Sequence, residues 1–270
     1  MENSPRATGS DTAETVEARR IYSDDKSDEK IQRKIAIEAP ISVEFNGIGY
    51  AVMMATPSHL RDFVIGFATS EKLIEHPDQL SAIDISAVET GWIIRANIVA
   101  EKAEVVFERA RTRVAESSCG LCGIENLEVV GRPLPPVPHH QPIADDHIFR
   151  ALAALTDHQQ INADTGGVHA AAWVDENGAI GCVREDVGRH NALDKLIGAM
   201  SLENLPLSSG FILTTSRCSY EIVEKSVVAG ATTLVTISVP TSLAIARAKF
   251  CGLSLVSLAR SDSALRFLCS

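Results

Sequence analysis

"GFILTTSRCSYEIVEKSVVAGATTLVTISVPTSLAIARAKFCGLSLVSLAR", residues 210–260, decides the architecture of this chain. Three short apolar runs, "GFILTT", "TTLVTIS" and "SLVSLAR", alternate with two segments of helical rhythm, "SYEIVEKSVVAG" and "SLAIARAKFCG". Runs that are apolar throughout, rather than at every second residue, belong to strands buried on both faces. Alternation with helices makes such strands parallel. Ligands of such sheets settle beyond the carboxyl ends of the strands. Two turns there, "SRCS" (216–219) and "SVPTS" (238–242), carry hydroxyls and a guanidinium into helix starts. Arg217, Ser219, Thr241 and Ser242 therefore read as candidate ligands of a phosphate or a polar ring edge, with plain helix capping as the competing reading.

Upstream, "HAAAWVDENGAIGCVRE" reads as a hairpin and "RHNALDKLIGAMS" as a helix. The stretch "REDVGRHNALDKLIG" (184–198) gathers eight charged or amide side chains around that helix start. Gly188, Arg189 and His190 at a helix N-terminus suit a phosphate. At spacing i, i+4, His190 meets Asp194 and Asn191 meets Lys195. A solvated, charged helix start explains the same residues. "DTGGVHAAAW" (164–173) sets His169 beside Gly166-Gly167, a weak sign of close ligand approach that is more often a simple turn.

Toward the N-terminus the rhythm changes. Residues 1–30 are polar and charged and read as a disordered tail. "KIAIEAPISVEFNGIGYAVMMA" alternates about Asn46-Gly47, a hairpin signal. Thr56-Pro57-Ser58 starts a helix over "HLRDFVIGFATSEKLI", and "AIDISAVETGWIIRANIV" and "AEVVFERARTRV" return to period 2. These readings give an N-terminal α+β domain over 31–130, an exposed Pro-rich linker over 131–142 containing His139 and His140, and an α/β domain over 143–270.

Residues 117–123 read "SSCGLCG". The Cys119 and Cys122 thiols suit a redox dithiol, half of a zinc site, or a sulfur carrier, and an incidental turn is the bland alternative. No thioredoxin-like strand–Cys–helix context and no second CxxC accompany them. Cys251 and Cys269 read as core fillers and Cys182 as a strand residue. The net charge of −10 argues against general nucleic-acid binding. The N-terminus lacks a secretory apolar region and the longest apolar runs fall short of a membrane span, so a cytoplasmic protein is expected.

Taken in order, "SSCGLCG", "TGGVHAAAW", "EDVGRHNALDKLIG", "SRCSYEIVEKS" and "SVPTSLAIA", with "EAPISVEFNG" and "MMATPSHLRDFVIGFATSEKLI" before them, resemble the formate dehydrogenase accessory sulfurtransferase (FdhD/NarQ) family. The resemblance runs from about residue 34 to the C-terminus. It implies a cytidine-deaminase-like three-layer α/β/α C-terminal domain, a smaller α+β N-terminal domain and a homodimer. It further implies a sulfur carrier that accepts persulfide sulfur from a cysteine desulfurase on Cys119, with Cys122 as the second thiol of the loop. The sulfur would pass to the molybdenum bis-guanine-dinucleotide cofactor of a formate dehydrogenase catalytic subunit, with GDP or a related guanine nucleotide as a surrogate ligand. The family's cofactor segment matches Leu258, Ala259, Arg260, Ser261, Asp262 and Ser263, and no resident metal is implied. The chain departs from the family pattern at Ser216, Val239 and Ser257. A cofactor-binding chaperone without sulfur chemistry, and a zinc protein of deaminase type, are the competing functions; the missing His-x-Glu and Pro-Cys-x-x-Cys count against the latter.

Overall fold

Asn46 and Gly47 turn the chain back with φ of 52° and 77°, the paired left-handed conformation that an Asn-Gly hairpin supplies. The strands they join, β3 (Ala39–Phe45) and β4 (Ile48–Ala55), pair antiparallel. The computed structural model describes residues 11–24, 26–116 and 134–267, with the side chains of 111–116 left aside. Strands β5 (Leu80–Val88) and β6 (Gly91–Ile98) complete a four-stranded sheet in the order β4-β3-β6-β5. Helix α1 (Leu60–Ser70) closes its inner face, burying Phe63 and Phe67 against Ile41, Val43 and Phe45.

The segment expected as a last strand, "AEVVFERARTRV", lies inside helix α2 (Ala100–Glu116). It holds no glycine or proline, and Val106 and Ala110 fall four apart on one helical face, both buried in the same core as α1. Packing against the sheet selects the helix over the local β-leaning composition.

Of the expected disordered tail, residues 1–10 lie outside the described ones, and the rest departs from the expectation. Strand β1 (Ala13–Arg20) pairs antiparallel with β2 (Glu29–Ala36) as a two-stranded ribbon. Cross-strand ion pairs Lys30–Glu17 and Arg19–Asp28 lie along it, but exposed pairs add little. What fixes the ribbon is its base. There the Arg33 guanidinium donates to the Thr165 carbonyl at 2.8 Å in a partly buried bond, beside one more exposed pair, Lys34–Asp164. Low hydrophobicity concealed a strand whose partners lie far away in sequence.

The second lobe follows residues 134–143, most of them exposed as expected of the Pro-rich linker but tied down at three points, with residues 131–133 outside the described ones. Leu134 is buried, Val137 N–H donates to the Cys251 carbonyl at 2.7 Å, and His140 lies 2.8 Å from Ser254 Oγ. Helices α3 (Asp145–Ala154) and α4 (Gln160–Thr165) lead into the hairpin β7 (His169–Asp175) and β8 (Ile180–Asp186). Helix α5 (Arg189–Leu202), β9 (Gly210–Thr214), α6 (Tyr220–Val228), β10 (Thr233–Thr236), α7 (Ser242–Cys251), β11 (Ser254–Ser257) and β12 (Leu265–Phe267) follow.

The sheet order is β12-β11-β10-β9-β7-β8. Only β9, β10 and β11 are mutually parallel; the β7–β8 hairpin and β12 add antiparallel strands at either side. Two crossovers step in the same direction, and connections of one hand put their helices on one face. Ile212, Leu234 and Leu255 accordingly face α5, α6 and α7, while Leu213, Val235 and Val256 face α3. The result is an α/β/α sandwich with a smaller α+β lobe beside it.

The lobes meet where α1 crosses α5. A Cβ on Gly66 would fall 1.7 Å from the Asp194 carbonyl oxygen, and one on Gly198 would fall 1.8 Å from that of Asp62. Two glycines thus let the helix backbones touch.

Candidate functional site

Each central strand ends in a hydroxyl. Thr214, Thr236 and Ser257 lie side by side across β9, β10 and β11, all buried. Thr214 Oγ1 donates to the Ala170 carbonyl at 3.1 Å, and Thr236 Oγ1 donates to Ser257 Oγ at 2.7 Å. These hydroxyls are therefore internal struts, and the departure at Ser257 is absorbed by Thr236.

Beyond the struts the two turns behave differently. Thr241 precedes α7 and its hydroxyl accepts from Ala244 N–H at 3.2 Å, so capping accounts for it. Ser242 is exposed at the first position of that helix. Ser219 occupies the same place before α6, yet makes no cap, and its buried Oγ has no partner among the described residues. Arg189 opens α5 with a buried Nε likewise unpartnered there. Buried polar atoms without partners are uncommon and costly, and a donor left open at a strand end is what a ligand oxygen would satisfy. Arg217 is exposed on the turn between β9 and α6. His190 lies 3.1 Å from Glu221, and that contact holds the Glu221 carboxyl below its usual range.

His169 begins β7 and faces the same end of the sheet, 3.5 Å from Thr215 Oγ1. Partial burial lowers its pKa, and the nearby Arg189 and Arg217 guanidiniums lower it further. Sequence reading gave this histidine only a weak signal, since a Gly-Gly-x-His run describes many turns. Cys218, between Arg217 and Ser219, is fully buried, and burial pushes its thiol pKa up to about 12. It is a core residue and no nucleophile.

The segment 258–263 wraps the same end of the sheet. Leu258 N–H donates to the Ser238 carbonyl at 3.2 Å, and Ala259 N–H donates to Thr236 at 3.2 Å. Leu258 takes a φ of 53°, Ala259 is buried, and the exposed Arg260, Ser261, Asp262 and Ser263 close a turn through Arg260 N–H to the Ser263 carbonyl at 2.8 Å. The Arg260 guanidinium donates to the Ile237 carbonyl. Thus 258–263 lies beside the β10–α7 turn, whereas Arg189, His190, Arg217, Ser219 and His169 gather around β7, β9 and the starts of α5 and α6.

The charged run at 184–198 has a different use from the one its spacing suggested. Asp194 does not pair with His190, nor Lys195 with Asn191. Lys195 is fully buried and meets the equally buried Asp186 at 2.6 Å, while also donating to the Thr56 carbonyl at 2.8 Å. Asp186 accepts from Thr56 N–H at 3.1 Å, Gly188 N–H at 2.7 Å and Asn191 Nδ2 at 3.1 Å. Asn191 Nδ2 also reaches the Met54 carbonyl at 2.9 Å. Asp194 receives Ser70 Oγ at 2.6 Å and Lys225 at 2.8 Å. Glu185 caps α4 through the N–H groups of Ile161 and Asn162 at 2.8 and 2.9 Å. Burial pushes the Lys195 ammonium pKa down, opposed by Asp186, and pushes the Asp194 carboxyl up, opposed by Lys225. The run is largely an interlobe clamp; His190 turns instead to Glu221, and Arg189 keeps a buried Nε without a partner among the described residues. A helix start lined with charges looks solvated in sequence because the β4–α1 turn that buries it lies over a hundred residues away.

Cys119, Cys122 and Cys269 lie outside the described residues. Cys251 is buried in the core and Cys182 lies on β8, both as expected. Among the described residues no group of three or more His, Cys, Asp or Glu side chains converges on a metal position. No described helix is long and apolar enough to cross a membrane.

Fold and site together define an α/β/α protein with unpartnered donors at a strand end and a second lobe clamped to it. Its sequence over 36–267 matches the model of the FdhD/NarQ family, and the chain belongs to that family. It is 43% identical over 230 residues to the sulfur carrier protein FdhD of Xanthomonas campestris pv. campestris (strain B100), an alignment covering 85% of this chain and 82% of that one. The FdhD of Variovorax paradoxus (strain S110) is 41% identical over 228 residues, 84% and 82% of the two chains. A crystal structure from Desulfotalea psychrophila, assigned as a formate dehydrogenase accessory protein, shares the fold with a TM-score of 0.73 at 22% identity. That match covers 95% of this chain and 97% of that one.

Proposed function

We propose that this chain is a cytoplasmic, homodimeric sulfur carrier that serves the maturation of a formate dehydrogenase. The observation that carries the reading is a ligand seat with open donors in a chain that also holds a CxxC pair: Arg189 Nε and Ser219 Oγ are buried and unpartnered among the described residues. The names borne by relatives more than 40% identical support it.

In this reading the Cys119 thiolate attacks the outer sulfur of a persulfide on a cysteine desulfurase. The donor S–S bond breaks, a new S–S bond forms at Cys119, and the donor cysteine leaves as a thiolate, with no net oxidation. Cys122 is the second thiol beside that persulfide. The substrate would be the molybdenum bis-guanine-dinucleotide cofactor on its way to the formate dehydrogenase catalytic subunit, and it would receive the outer sulfur as sulfide. Cys122 attacks Cys119 Sγ, the bond from Cys119 to the outer sulfur breaks, and the Cys119–Cys122 disulfide that forms accounts for the two electrons. The residues present fit such a group. Arg189 and Arg217 offset phosphate charge, Ser219 and Ser242 offer neutral donors, and 258–263 borders the neighbouring strand end.

The test is mass spectrometry after incubation with a desulfurase and cysteine, paired with complementation of a deletion strain. An adduct of one sulfur atom on Cys119, and loss of formate dehydrogenase activity with Cys119→Ala, are expected. An adduct that survives Cys119→Ala, or full maturation by that variant, would sink the sulfur-carrier reading and leave a cofactor-holding chaperone.

A further inference from the structure

We propose that His169 is a proton-dependent contact of the strand-end site, so that binding of a pyrophosphate diester there takes up one proton on its imidazole. The inference rests on reading that region as a dinucleotide seat. It adds a residue and a linkage that the seat itself does not require.

The topology brings His169 to the site. It is the first residue of β7, and because β7 runs antiparallel to β9 its start lies at the carboxyl end of β9. There it sits 3.5 Å from Thr215 Oγ1, two residues before Arg217. On its other side β8 pairs His169 with Asp186, three residues before Arg189. The ring is thus flanked by the two turns that carry the open donors of Arg189 and Ser219. The preceding Gly166 has a φ of 65°, a left-handed conformation that glycine adopts freely, and turns the chain into β7.

The charges around the ring set the sign. Arg189 from α5 and Arg217 from the β9–α6 turn both oppose its protonation, and Asp186 from β8 favours it weakly. Asp186 is already committed to Lys195, and Arg33 of β2 is tied to the Thr165 carbonyl. His190 and Glu221 face each other. With the site empty, half-burial and two guanidiniums hold the imidazole pKa below its ordinary value. A bound diester brings two negative charges against the same guanidiniums, which removes the opposition and favours the charged ring. The ligand therefore prefers the protonated protein. Affinity rises as pH falls through the bound-state pKa and levels off below the free-state pKa, with a slope of at most about tenfold per pH unit for one proton.

The experiment uses the full chain and diguanosine pyrophosphate, a pyrophosphate esterified at both ends, whose single acidic oxygen on each phosphorus stays ionised near neutrality. Calorimetry at about pH 6.5 and about pH 8.5, in buffers of high and low ionisation enthalpy, reads proton uptake directly. Wild type is expected to take up a proton at the lower pH and to bind severalfold more weakly at the higher. His169→Gln is expected to lose the uptake and to bind at both pH values as wild type does at the higher. Uptake that persists in His169→Gln, or binding of the wild type without uptake, overturns the proposal while leaving the dinucleotide seat standing. Absence of binding at either pH removes the seat, and the proposal with it. A proton NMR titration of the wild type with and without the probe covers the case of a misfolded variant. One histidine must titrate higher when the probe is bound, and eight unmoved histidines would overturn the idea as well.

Discussion

Lys195 and Asp186 meet at 2.6 Å with both side chains fully excluded from solvent. Such a pair has given up the hydration of two ions, so its net contribution is small while the cost of losing one partner is large. Asp186→Asn leaves an ammonium buried with only carbonyl and hydroxyl neighbours. It also weakens the links to Thr56, Gly188 and Asn191. The expected loss is about 3–5 kcal/mol, read from the midpoint of urea unfolding at unchanged slope. A loss under about 1 kcal/mol would mean the clamp is ornamental. From the sequence these two residues look like any charged helix start, since nothing local reveals that the β4–α1 turn arrives with a free N–H and carbonyl at Thr56. Arg189, with helical neighbours of the same kind, ends with its guanidinium at the strand-end site. Only the direction of each side chain separates the two fates.

At the scale of the element, the decisive contact is α1 against α5. Gly66 and Gly198 are needed because each helix backbone occupies the space where the other's Cβ would lie. Gly198→Ala must push the helices apart, and with them Asp194 from Ser70. The expected cost is on the order of 3 kcal/mol, at the upper end for overpacking. An exposed-helix Gly→Ala change would instead stabilise by about 1 kcal/mol, so the sign alone decides. Equilibrium unfolding of the variant checks it. Element type was legible where one period dominated, as in the Asn46-Gly47 hairpin and the strand–helix run of 210–260. It failed for α2, whose β-branched and charged composition suggested a strand. Burial of Val106 and Ala110 on a helical face outweighed that composition. It failed again for β1, whose exposed residues carry no apolar alternation and whose fixing contacts come from β2 and α4.

For the molecule as a whole, the clamp and the glycine seam make the two lobes one cooperative unit. Nature has placed one tryptophan in each, Trp92 on β6 and Trp173 on β7. Single-tryptophan variants, Trp92→Phe and Trp173→Phe, then report on opposite lobes. Their fluorescence transitions in urea are expected to share one midpoint with the far-ultraviolet circular dichroism of the same variant. Separate midpoints within one variant would show that the interface contributes less than either core. The amino-acid order alone sufficed for the sandwich and the hairpins, because periodicity, turn chemistry and strand–helix alternation are local properties. It also placed Arg189 and Ser219 at helix starts, where they are found. Tertiary packing alone settled that most of the charged run clamps the lobes, that Thr241 caps while Ser219 stays open, and that His169 arrives beside Thr215. Those outcomes depend on which distant backbone groups arrive beside each side chain, and no spacing within the chain encodes that.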